Sequence, residues 1–138
     1  MVRQHADTQV IANLFEKNNP ESTTYGASER IEISSEFQRG DEETGVWSEK
    51  QKCGYIESLT KSYPTGILTM VRYADVQTQT AWKVLDGGNR MRAIRDFKNN
   101  LYKNVDGEKY DELTPEQRAQ FNTINIPCQW MTLETVDA

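Results

Sequence analysis

A chain of 138 residues with 16 Lys or Arg, 21 Asp or Glu and a formal charge of −5 has the length of one ordinary domain and the balance of a soluble globular protein. It contains no run of 18 apolar residues, which excludes a membrane-spanning helix, and Met1 to Thr8 lacks the apolar core of a signal peptide. Cys53 and Cys128 stand 75 positions apart with His5 the sole histidine, so zinc ligation and a disulfide framework are both disfavoured. The reading is a single domain over residues 1–138, or the N-terminal part of a longer architecture, in a reducing cytoplasmic compartment.

Charge is unevenly spread. Lys83 to Lys103 holds six Lys or Arg against two Asp, whereas Glu36 to Glu43 holds four acids against Arg39. A protein of pI near 4.9 with one basic segment suits a small anionic ligand better than a long polyanion such as DNA.

In chain order, Thr8 is placed to cap a helix over about Gln9 to Lys17, with Val10, Ile11, Leu14 and Phe15 at helical spacing. Asn18 to Ser28 reads as a loop, Arg30 to Ser34 as a short strand, and Phe37 to Trp47 as an exposed loop. Ser48 opens the next helix, Gln51 completing a capping box and Cys53, Ile56, Leu59 and Tyr63 forming its apolar stripe. Gly66 to Tyr73 and Ala81 to Leu85 read as a strand pair joined by a polar connection. A helix follows over about Gly88 to Asn99, and Asp106-Gly107 predicts a short hairpin within Leu101 to Tyr110. Thr114-Pro115-Glu116-Gln117 is a helix start, and Ile124 to Thr132 a final strand. The expected class is α+β.

The segment Leu85-Asp86-Gly87-Gly88-Asn89-Arg90 is a strand end, a glycine turn and a helix start. The first backbone N–H groups of a helix lack intrahelical partners and carry partial positive charge, so such a terminus receives phosphate well. At about 100° per residue, Arg90 falls in the same sector as Met91, Ile94, Phe97 and Leu101, whereas Arg92 and Arg95 turn toward solvent. A guanidinium on that inward side needs an anion: a ligand phosphate, Asp86, or another acid such as Glu57.

This turn, with Phe37-Gln38-Arg39 upstream, resembles the DGQQR family of ParB/sulfiredoxin-like domains, the N-terminal part of type IV restriction proteins of the GmrSD kind. Tyr55-Ile56-Glu57-Ser58-Leu59, Pro64-Thr65-Gly66, Phe97-Lys98-Asn99-Asn100 and Tyr110 to Glu116 are similar to family segments, so the resemblance runs from about Ile31 to the C-terminus. It implies a compact fold with a small mixed sheet flanked by helices, and a nucleoside triphosphate bound with Mg²⁺ and hydrolysed. Carried over, Asp86 and Arg90 are the catalytic candidates, Asp86 holding the turn or the metal's water shell. Gln38, Arg39, Gly87, Gly88, Asn89 and Arg90 would contact the nucleotide. Two departures bear on chemistry. The motif's two glutamines are Gly88 and Asn89 here, which detaches hydrolysis from binding, and sulfiredoxin's thiol position is not a cysteine.

The acids Glu36, Asp41, Glu42 and Glu43 read as a solvated loop rather than a metal site. All three tryptophans read as core or site-edge residues, with Trp47 also open as a platform for a base. Two further functions stand beside nucleotide binding: a structural or protein-interaction role on the same fold, and a DNA-binding or nuclease module of ParB type. Partners are accordingly a nucleotide, a protein partner or a C-terminal domain, with nucleic acid disfavoured and no membrane.

Overall fold

The computed structural model describes residues 2–33, 46–74 and 81–134. Strand β1 spans Val2–Val10 and runs directly into helix α1, Ile11–Asn18. A short strand β2, Ile31–Glu32, precedes helix α2, Glu49–Thr60. Strands β3, Leu68–Ala74, and β4, Trp82–Asp86, lead to helix α3, Gly88–Lys98. Helix α4, Pro115–Asn122, and strand β5, Asn125–Glu134, complete the set.

The five strands form one mixed sheet in the order β1-β5-β3-β4-β2. β1 pairs antiparallel with β5 from Val2 opposite Leu133 to Val10 opposite Asn125. β3 runs parallel to β5 and antiparallel to β4, and β2 runs parallel to β4 at the other edge. The fold is therefore α+β, with helices flanking a mixed sheet. Among the described residues no helix is long and apolar enough to cross a membrane.

The core follows from the alternation of β5 and the stripes of the helices. Ile126, Cys128 and Trp130 share one face of the sheet with Leu68 and Met70 of β3 and Val84 of β4, and all are buried. Ile11 and Leu14 of α1, Ile56 and Leu59 of α2, and Met91, Ile94 and Phe97 of α3 close over them. Phe97 is 1% exposed, with ring centroids 5.5 Å from Phe121 and 5.7 Å from Tyr102. Burying such a side chain contributes on the order of 1.5–3 kcal/mol. A Lys52–Asp96 ion pair of 2.9 Å pins α2 to α3.

The capping box at Ser48 forms, its hydroxyl accepting from Gln51 N, and Thr114 caps α4 by accepting from Gln117 N. Several expectations fail. Residues 2–10 are a strand rather than the lead-in and first turns of a helix, because β5 offers them a complete antiparallel ladder; the helix begins at Ile11. Leu101–Tyr110 forms no strand pair. Asn104 Oδ1 instead accepts from the N–H groups of Asp106 and Glu108, an Asx turn that replaces the ladder. Leu101 and Tyr63 are exposed at 64% and 58%, since each lies past the last turn of its helix.

Candidate functional site

The parallel strands β2 and β4 end at one edge of the sheet, where β3 begins, and α3 starts there. Crevices outside the carboxyl ends of parallel strands are recurrent ligand sites. β4 closes on Asp86, and Gly87 then takes the left-handed conformation at φ +106 as the residue before α3. A Cβ on Gly87 would lie 2.4 Å from Leu68 Cδ2, so this turn requires glycine for space as well as dihedral. The first intrahelical bond runs from Met91 N to the Gly87 carbonyl at 2.9 Å, so the N–H groups of residues 88–90 precede the helical ladder.

Arg90 projects from this first turn back between two glycines. A Cβ on Gly66, at φ +86, would be 2.7 Å from Arg90 Nη1, and one on Gly87 would be 3.2 Å from Nη2. Nη1 donates to the Thr65 carbonyl at 2.8 Å. Nη2 stands 3.9 Å from Asp86 Oδ2, with side-chain exposures of 16% for Arg90 and 50% for Asp86. Among the described residues no carboxylate comes nearer. Glu57, the other candidate acid, is held instead by Lys61 one turn later at 2.6 Å.

Arg90 lines a groove of about 480 Å³ with Trp47, Gln51, Gly54, Tyr55, Ser58, Pro64 and Thr65. The Trp47 and Tyr55 rings meet edge to face at 5.8 Å. Burial pushes the Tyr55 phenol up to about 12, against a smaller downward pull from the Arg90 charge, so it remains a neutral hydrogen-bonding group. Asn89 Oδ1 accepts from Trp47 N at 3.1 Å and from Arg92 Nη1 at 3.3 Å, joining the approach to α2 with the start of α3.

Of the sequence candidates, Asp86, Gly87, Gly88, Asn89 and Arg90 come together at the turn, while Gln38, Arg39 and the acidic stretch 36–43 lie outside the described residues. Arg92 and Arg95 are half-buried rather than solvent-facing. Burial, then the Arg95 charge, lowers the Arg92 guanidinium from its ordinary range, with Asp96 opposing. Sequence reasoning missed Thr65 and Tyr55 as site residues. The signals were Gly66 just before a strand and an aromatic beside the α2 stripe.

Among the described residues no group of three or more His, Cys, Asp or Glu is placed to hold a metal ion. Comparison with family models, curated proteins and solved structures finds no match for the chain.

Proposed function

We propose that the protein binds a nucleotide, with its phosphates at the Gly87–Arg90 turn and its base toward Trp47 in the adjoining groove. The observation that carries this reading is Arg90. It is a largely buried guanidinium at a helix N-terminus, bonded to a carbonyl, with its nearest described carboxylate 3.9 Å away. A buried cation so weakly neutralised is stabilised by an incoming anion, and the first-turn N–H groups add to the same field. The groove beside it offers an aromatic face and several polar groups at its margin, as nucleotide sites do.

Magnesium fits this reading as an ion carried by a triphosphate, with Asp86 as the nearby carboxylate, because Mg²⁺ sites commonly combine one or two carboxylates with substrate phosphates. Binding is favoured over hydrolysis. The side chain standing at the second motif glutamine, Asn89, has its amide oxygen engaged by Trp47 N–H and Arg92.

The test is the melting temperature of the purified protein with ATP, GTP or CTP, with and without magnesium, beside Arg90→Ala. A nucleotide at 100 times its dissociation constant should add about 2.7 kcal/mol, a shift of several degrees. That shift should vanish in Arg90→Ala. No shift with any nucleotide in a folded wild-type protein overturns the reading.

A further inference from the structure

The two edges of the sheet are unlike. β2 ends one side with two residues, Ile31–Glu32, too short to template another strand. β1 ends the other with nine, Val2–Val10, and among the described residues nothing pairs with its outer edge. Its ladder with β5 runs without a shift from Val2 opposite Leu133 to Val10 opposite Asn125. The strand holds no proline, lysine or bulge, the usual means by which an edge is blunted.

Helix α1 leaves this edge uncovered. It departs from Val10 and crosses the helix-bearing face to the far side of the sheet, where Asn18 Nδ2 donates to the Ile31 carbonyl at 2.9 Å. Residues 3–8 are exposed. Alternate residues of β1 thus direct N–H and C=O groups away from β5, toward a strand still to be supplied.

The side chains define which strand fits. Opposed residues of an antiparallel pair share a face, so Arg3, His5, Asp7 and Gln9 lie on the helix-bearing face with Trp130 and Cys128, and Gln4, Ala6 and Thr8 on the other. His5 stacks on Trp130 at 6.3 Å, and Asp7 accepts from Trp130 Nε1 at 2.7 Å and from Gln9 Nε2 at 2.8 Å, which holds this row in place. Laid antiparallel on a second copy with Ala6 at the two-fold axis, the strand complements itself. Val2 meets Val10, Arg3 meets Gln9, Gln4 meets Thr8, and the His5 imidazole meets the Asp7 carboxylate. Arg3 also lies diagonal to Asp7, no opposed pair brings like charges together, and the residue on the axis is small.

We propose that the protein is a homodimer joined through β1, the two copies pairing antiparallel about Ala6 so that their sheets become one continuous sheet. The interface is isologous, with both helix layers on the same side, and it is independent of the nucleotide reading.

The experiment is sedimentation velocity on the full chain over about a hundredfold concentration range, beside two kinds of variant. The wild-type chain should pass from monomer to dimer. Ala6→Lys, at an exposed position, sets two ammonium groups against each other on the axis and should weaken dimerisation at least about tenfold while the monomer stays folded. In a Cys53→Ser background, Ala6→Cys should form an intersubunit disulfide on mild oxidation, because the axis positions stand within disulfide reach. Gln4→Cys in the same background should not, since its two copies lie about 14 Å apart along the paired strands. Should Ala6→Lys fail to fold, the cross-linking pair decides. A wild-type chain that stays monomeric, a folded Ala6→Lys that dimerises as well as wild type, or cross-linking at position 6 no faster than at position 4 overturns the proposal.

Discussion

The Arg90 guanidinium is tied to the Thr65 carbonyl at 2.8 Å and stops 3.9 Å short of the Asp86 carboxylate. The shorter contact fixes the side chain's direction, and the longer one leaves its charge available. Arg90→Ala removes a hydrogen bond made by a charged group, about 1.5–3 kcal/mol, but also relieves a poorly neutralised buried cation. The expected net cost is about 1–2 kcal/mol in a urea titration, together with loss of the nucleotide response. A cost above about 4 kcal/mol with an unchanged nucleotide response would make Arg90 a structural residue only.

Two glycines should respond in opposite directions to the same substitution. Gly87→Ala forces a Cβ into Leu68 at a positive φ and is expected to cost about 1–3 kcal/mol. Gly54→Ala, inside α2 with nothing within 4 Å of the new methyl, should stabilise by about 0.5–1 kcal/mol. Urea midpoints for the two variants check both signs.

Alkaline pH should destabilise the protein between about pH 9 and 12. Burial pushes the Cys128 thiol from 9.0 up to about 12 and the Tyr55 phenol from 10.0 up to about 12. In that window the unfolded chain has released protons that the folded chain still holds, so stability falls as pH rises. Well below pH 9 both groups are protonated in either state and contribute no slope. Cys128→Ala should flatten the stability profile above pH 9, although it will also lower the whole curve by opening a small void. An unchanged slope would mean that Cys128 does not titrate on unfolding.

Cys53 should alkylate slowly at neutral pH even though it is only half-buried. Its thiol is raised by burial and then by the charge of Glu49, and its Sγ donates to the Lys103 carbonyl at 2.9 Å. Glu49→Gln should speed reaction with iodoacetamide. If the variant reacts no faster, the Glu49 charge does not govern the thiol.

Much of the site frame was legible because it rests on local chemistry. Ser48 with Gln51, and Thr114 with Gln117, announce helix starts through side chains that reach only three residues, and Gly87 announces the turn between β4 and α3. β1 was not legible. Arg3 to Thr8 is polar with little apolar alternation, and those residues become a strand only because β5, more than a hundred positions later, pairs with them. The apolar spacing of residues 10–15 marked α1 correctly but pulled its expected start too early.

The groove was half visible for the same reason. Arg90 could be placed inward by helical phase, yet its actual partner is a main-chain carbonyl 25 positions upstream, which no side-chain pattern encodes. Arg92 and Arg95 were assigned to solvent by phase alone. α1 and β2 bring residues against that flank of α3, and Asn18 and Arg30 share a cavity with Arg95.

Among the described residues the last strand lies between the first and the third, and β1 has no other neighbour in the sheet. Until Asn125 to Glu134 has been synthesised, β1 has no ladder to join and Leu68 and Met70 lack the strand that completes their face of the core. Assembly of this sheet is thus a late, all-or-none event dominated by contacts distant in sequence, a topology associated with slow folding. A ribosome-bound chain halted before Asn125 should remain readily cleaved by protease within β1 and should become protected when β5 is released.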